Sequence, residues 1–378
     1  MLGIFDFFWD WILPFVAVLS VLVFVHELGH YLVARWCRVR VEAFSIGFGP
    51  QLTGWDDKAG TRWKICAFPL GGYVKMFGEQ DFADDDEQPA MTEAEKAVSF
   101  HHKSLRQRVA IVVAGPAANF LFAIVLFAGM FATVGVATHL PVVGEVQADS
   151  AAAAAGFAVG DRILNIDGKP VASFEDLRRM VSDRPGMETA IEVRRDNEVL
   201  QLMATPQATT VAAAEGAERR IGILGIKADP NAIDYQRYGP IQAVTTAVGQ
   251  VFAISAQIMV ALWEIISGTR TSAELGGPLR IAQLSGEVAQ HGFGNLLRFT
   301  AALSINLGLI NLFPIPMLDG GHLAFYAAEA VRGRPLGRRI QEYGFRFGLA
   351  VVLLLIIFVT WNDLMSLNVF DFVRQLIS

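Results

Sequence analysis

The chain has 378 residues, 53% of them hydrophobic and 18% charged, and the apolar excess is gathered into a few runs. That distribution excludes a single water-soluble globule and points to a membrane protein carrying a soluble insert. A formal net charge of −6 with no basic run excludes nucleic acid as a partner, and two cysteines, Cys37 and Cys66, are too few for a disulfide framework or a cysteine metal site.

Residues 1–138 read as a first membrane part, opening with a span at about 12–34. This run is too long for a signal-peptide core and lacks a basic segment before it, so it is expected to stay in the membrane. Within it, "VLVFVHELGHYLV" (21–33) places three ionisable residues in lipid, where one unpaired charge costs ~2.5–3.5 kcal/mol on insertion scales. His26 and His30 are four residues apart, hence on one helix face about a turn apart. Both imidazoles can reach one ion, and Glu27 stands beside it as a general base. This is the HExxH arrangement of zinc peptidases.

Arg35, Arg38 and Arg40 close the first span. Residues 41–76 alternate weakly and are cut by Gly and Pro, as paired strands would be, and a membrane-associated β-hairpin is expected. Beside an intramembrane site its edge would accept an extended peptide. The acidic "EQDFADDDEQ" (79–88) reads as a solvated, flexible loop, and a second span follows at about 108–136, preceded by Lys103, Arg106 and Arg108.

Residues 139–228 form the soluble insert, with strands expected near 142–147, 162–166, 189–194, 199–204 and 220–226. A helix over 173–182 is expected with Ser173 as N-cap. Residues 229–295 hold an apolar stretch, 240–266, long enough to span; Gln242, Thr245, Thr246, Gln250 and Gln257 interrupt it, so it is read as an amphipathic, interfacial helix. The C-terminal membrane part, 296–378, holds spans at about 296–317 and 346–362, with Arg332, Arg334, Arg338 and Arg339 between them.

The expected fold is therefore an α-helical polytopic membrane protein with four transmembrane helices, a membrane-associated β-hairpin and one inserted β-rich domain. Four spans put all three basic clusters on one side. Residues 35–108 and 320–345 are then cytoplasmic, and both termini and the insert lie outside. Catalytic zinc needs a third protein ligand. Asp319 in "NLFPIPMLDGGH" (311–322) supplies it, because Pro314 and Pro316 break the helix and Gly320 and Gly321 let the backbone turn. His322 is the competitor. Counting ~1.5 Å per residue, His26 lies ~21 Å from Ile12, and four spans bring Asp319 to a similar depth.

HExxH in the first span with "NLFPIPMLDGG" in a late one resembles the site-2 protease family of intramembrane metalloproteases. More narrowly the chain is similar to the bacterial RseP type, the regulator of sigma-E protease. "GFGP" (47–50), "FPLGGYVKM" (68–76), "AGPAANFLFA" (114–123) and "GGPLRIAQLSG" (276–286) extend the likeness over nearly the whole chain. The resemblance implies Zn2+ held by His26, His30 and Asp319, with Glu27 as the base. It implies that Asn119, Asn306 and Asn311 hold the substrate backbone, although Asn119 read unaided is equally a helix–helix hydrogen bond. It further implies a bacterial inner-membrane location, with the insert in the periplasm. The substrate would be a single-span membrane protein, a pre-trimmed anti-sigma factor or a remnant signal peptide, cut in regulated intramembrane proteolysis.

The insert's "DSAAAAAGFAVGDRILNIDGKPV" (149–171) resembles PDZ domains of bacterial envelope proteases. "IGILGI" (221–226) looks like their carboxylate-binding loop, with Gly222, Ile223 and Gly225 facing an incoming chain; an empty groove serving as a size filter is the competing reading. The chain departs from the best-known pattern of two tandem PDZ domains, having room for one.

Two other classes compete. A non-proteolytic receptor would use the PDZ-like domain to capture outer peptides and the zinc as a structural ion, but a closed site needs a fourth ligand rather than a free glutamate. A zinc transporter would call for an inverted repeat and further intramembrane acids, and neither is visible.

Overall fold

The computed structural model describes residues 8–79, 91–212, 218–271 and 276–366. Most of the acidic run at 79–88 lies outside them. Two compact units divide the chain, one of residues 1–129 and 242–378, the other of 130–241.

In the first unit a short π-helical turn, Phe8–Ile12, leads into α1, Leu13–Trp36, with Pro14 in its first turn, where no amide partner is lost. Two long antiparallel strands follow, β1 (Val41–Asp56) and β2 (Arg62–Met76). Both bend at glycines, so that residues 43–46 find partners in 62–65 as well as in 72–75. Gly47 and Gly49 take φ of +87° and +85°, a conformation other residues rarely adopt. One face is buried on α1, with Phe44 stacked on Trp63 at 4.3 Å between centroids and packed with Val41, Val74, Ile111 and Tyr326. The bend, by contrast, exposes Phe48, Leu52 and Phe68.

Next come α2 (Glu93–Val98), closed by a Thr92–Glu95 capping box, and α3 (Leu105–Thr133). α3 runs antiparallel to α1: a side chain at Gly29 would meet Ala114 and Ala118, while His26, one turn earlier, faces Asn119. Contact this close needs small residues on both helices.

The second unit is the β-rich insert. Its sheet has the order β6–β5–β7–β8, with β5 Arg162–Ile166, β6 Lys169–Pro170, β7 Thr189–Arg195 and β8 Glu198–Ala204. Around it lie three antiparallel pairs. They are β3 (Val136–His139) with β12 (Ile233–Gln236), β4 (Val143–Val146) with β11 (Ile226–Ala228), and β9 (Gln207–Ala212) with β10 (Glu218–Ile223). α4 (Ala151–Ala154) and α5 (Phe174–Ser182) cover a core of Val143, Ile163, Ile166, Leu177, Ile191 and Val193. Ser173 caps α5 through the amide of Asp176, as expected. The strand expected over 220–226 is two strands, parted at Gly225, whose φ of +79° no continuous strand accommodates. A bidentate pair at 2.7 Å joins Arg195 to the fully buried Asp161. Burial pushes the Asp161 carboxyl up, but hydrogen bonds from Arg195 and the Ala158 amide outweigh it and hold it below the usual range.

Back in the first unit, α6 (Pro240–Ile266), α7 (Pro278–Gln290), α8 (Phe293–Leu312), α9 (Asp319–Arg332) and α10 (Arg338–Ser366) follow among the described residues. Asp363 of α10 accepts from the amides of Gly277, Leu279 and Arg280 and so caps α7. Among the described residues five helices are long and apolar enough to cross a membrane, against four expected; the additional one is α6.

Candidate metal centre

His26 and His30 are buried on α1, and Asp319 is the first residue of α9. The loop before Asp319 is set by its prolines and by Met317, which takes φ +95°. Gly320 and Gly321 let that loop fold back on the helix start: a Cβ at either would lie 2.2 or 2.5 Å from the carbonyl oxygens of Phe313 or Ile315. The carboxylate is thereby brought to the histidines. Asp319 Oδ2 lies 3.2 Å from Nε2 of His26 and 3.4 Å from Nε2 of His30, and the two Nε2 atoms are 3.3 Å apart.

The chemistry of these three atoms tests whether an ion fits. His30 Nδ1 lies 2.8 Å from the carbonyl of Ile111, so Nδ1 carries the ring hydrogen and Nε2 presents a bare lone pair. Asp319 Oδ2 is buried and finds no hydrogen-bond donor among the described residues. Converging acceptors repel one another unless a cation lies between them. Tetrahedral zinc with ligands at ~2.0–2.2 Å sets donor atoms ~3.3–3.5 Å apart, which is the size of this triangle. The residues fit zinc.

A cavity of about 580 Å³ opens on the triad and is also lined by Glu27, Gly71, Gly72, Tyr73, Asn311 and His322. Glu27 is thus within the site, and Asn311, in the last turn of α8, is available to a ligand there. His322 lines the cavity but stands outside the three-donor cluster of His26, His30 and Asp319. Asn306 is half-buried on α8 and does not line the cavity. Asn119 is fully buried behind His26, its Nδ2 3.1 Å from Nδ1 of that ring. Of the three asparagines expected to hold the substrate backbone, Asn311 lines the cavity, Asn306 stands away from it and Asn119 lies behind His26.

Sequence reasoning missed three supporting residues. Gly29 lets α3 approach, Gly115 leaves room for the His30 ring, and Gly72 lets β2 pass Glu27, whose Cγ would lie 3.1 Å from an added Cβ. Their signal in the sequence was smallness, which many helix contacts share. In the insert, Gly222, Ile223 and Gly225 line a groove of about 460 Å³ together with α5 residues Phe174, Leu177 and Val181.

Several helices suited to lipid and a buried two-histidine, one-carboxylate site define a polytopic membrane metalloprotein. The chain belongs to peptidase family M50, the site-2 proteases, whose model matches residues 14–355. A protein of Agrobacterium fabrum named "Putative zinc metalloprotease" is 45% identical over 366 residues, 96% of this chain and 97% of that protein. One of the same name from Rhizobium meliloti is 46% identical, covering 93% of this chain and 95% of its own length. Metalloprotease MmpA of Caulobacter vibrioides is 38% identical, covering 95% and 96%. The chain is a metalloprotease of the site-2 type and its cofactor is zinc.

Proposed function

We propose that the protein hydrolyses a peptide bond inside the transmembrane segment of single-span membrane proteins, acting in regulated intramembrane proteolysis. The observation that carries this is the three-donor cluster seated on α1, the first membrane helix, beside a glutamate and an open cavity. His26, His30 and Asp319 would hold the ion. Zinc, when bound, supplies a Lewis acid that brings the pKa of a coordinated water near neutrality and polarises a carbonyl. Glu27 takes the proton from the attacking water and returns it to the leaving amide nitrogen. Asn311 holds the substrate backbone from the facing wall. Gly71–Val74 of β2, on the cavity's side, offer an extended backbone against which an unwound segment can pair.

The basic clusters at 35–40, 103–108 and 332–339 support a cytoplasmic placement for the end of α1, the start of α3 and the end of α9. The PDZ-like insert is then periplasmic in a bacterial inner membrane. It excludes substrates until their outer part has been shortened, which suits a pre-trimmed anti-sigma factor or a remnant signal peptide. The test is a tagged single-span substrate without its outer domain, offered to the parent and to Glu27→Gln. The parent should cut and a chelator should stop it, while the variant binds zinc and falls by at least ~100-fold, the scale of a general base. Equal cutting by both would remove Glu27 from the chemistry.

A further inference from the structure

We infer that Asn119 is a positioning residue for the metal, fixing the ring of His26 through its side-chain oxygen; this rests on His26 being a zinc ligand. The argument starts from an imbalance. Asn119 Nδ2 lies 3.1 Å from Nδ1 of His26, while its Oδ1 is buried with no hydrogen-bond partner among the described residues. With Nε2 of His26 turned to the ion, Nδ1 carries the ring hydrogen and needs an acceptor. An amide nitrogen cannot accept. Half a turn of the amide exchanges two groups of nearly equal size and sets Oδ1 against Nδ1–H. It gives the ring its acceptor and the buried oxygen its donor in one move.

The scaffold holds this group as a support is held. Asn119 is 0% exposed, and its own carbonyl accepts from Ser304 Oγ of α8 at 2.8 Å, which is likewise 0% exposed. Gly308, one turn on, permits the approach: a Cβ there would meet Pro116 O at 3.2 Å and the Phe120 ring at 3.1 Å. Two residues of α3 thus serve the two histidines in the same way, Ile111 through its main-chain oxygen and Asn119 through its side chain. Each oxygen fixes one tautomer, so that both Nε2 atoms meet the ion bare.

The experiment measures zinc affinity of the full-length detergent-solubilised protein by competition with a chromophoric chelator. It compares the parent, Asn119→Leu, Asn119→Asp and His26→Ala. Asn119→Leu removes the acceptor at similar volume and should weaken zinc binding by roughly 10- to 100-fold. Asn119→Asp keeps an oxygen facing Nδ1 and should stay within a few-fold of the parent. Unchanged affinity in Asn119→Leu overturns the inference. If that variant does not accumulate folded, Asn119→Asp decides alone, because its loss of zinc would mean that the amide nitrogen is the group in use. His26→Ala separates the two levels: parent-like zinc binding there would sink the site itself, whereas its loss alongside an unaffected Asn119→Leu sinks only the positioning role.

Discussion

Gly115 matters to the metal site as much as a ligand does, because a Cβ there would lie 2.2 Å from Nε2 of His30, the donor atom itself. A contact that short forces a shift, and moving the ring draws Nε2 away from the other two donors. Gly115→Ala is expected to lower zinc affinity by ~10-fold or more, as disturbance of a ligand's support does. Helicity should not fall, since alanine is the better helix former by up to ~1 kcal/mol. Gly249→Ala, where an added Cβ meets nothing within 4 Å, is the control. Zinc titration with circular dichroism on both variants checks this, and parent-like affinity in Gly115→Ala would show that the ring has room to spare. The candidate site residues His26, Glu27, His30 and Asp319 were legible in the sequence because His, Glu and Asp are costly in apolar runs and stand out there. Gly115 was not, because small residues mark every close helix contact and say nothing of which contact matters.

At the scale of elements, the β1–β2 turn is tied by one carboxylate. Asp57 accepts from Trp63 Nε1, Tyr31 OH and the amides of Ala59 and Thr61. Burial raises its pKa, but these bonds outweigh that and bring it down to about 2. A carboxylate depressed in the folded protein contributes stability that is present in full above its unfolded value near 4 and is lost as pH falls towards 2. Asp57→Asn should therefore lower the melting temperature at pH 6, and the gap to the parent should close between about pH 4 and pH 2. A gap independent of pH would mean that shape rather than charge holds the turn. The hairpin itself was legible at 41–76, since Gly and Pro punctuate short apolar alternations. The strand pair β3–β12 was not, because "VATH" and "IDYQ" are four residues each and pair over almost a hundred residues. The third span, expected over 296–317, stops at Leu312 because Pro314 and Pro316 end it. The last, expected over 346–362, is a helix from Arg338 to Ser366 whose polar first turns hide its start from hydropathy.

For the whole membrane unit, the directions of the helices bear on α6. α3 runs against α1, and α8 runs against α3, with Ser304 at Asn119 and Gly308 at Pro116. α1 and α8 are therefore parallel, and α8 begins at the end of the bundle where α1 begins. α7 lies at that same end, its Gly286 pressed on the backbone of Asp10. α6 also starts there, because the amide of Tyr238, two residues before it, bonds to Phe131 O at the end of α3. If α6 crossed the bilayer, residues 267–277 would have to carry the chain back. The amides of Ser267, Thr269 and Arg270 bond back to Trp263 and Glu264, so 267–270 turn in place. Seven residues remain, which reach at most ~25 Å against a hydrocarbon core of ~30 Å. Length and composition alone allow α6 to span, but these directions favour a helix lying at the interface, with Ala243, Ala247 and Val251 as its inward seam. With Cys37 and Cys66 replaced, single cysteines at Gly239 and Ser267 should both react with an impermeant maleimide from the periplasmic side of intact cells. Labelling of the Ser267 position only after the membrane is opened would make α6 a fifth span, and the return path would then have to be sought within 271–277.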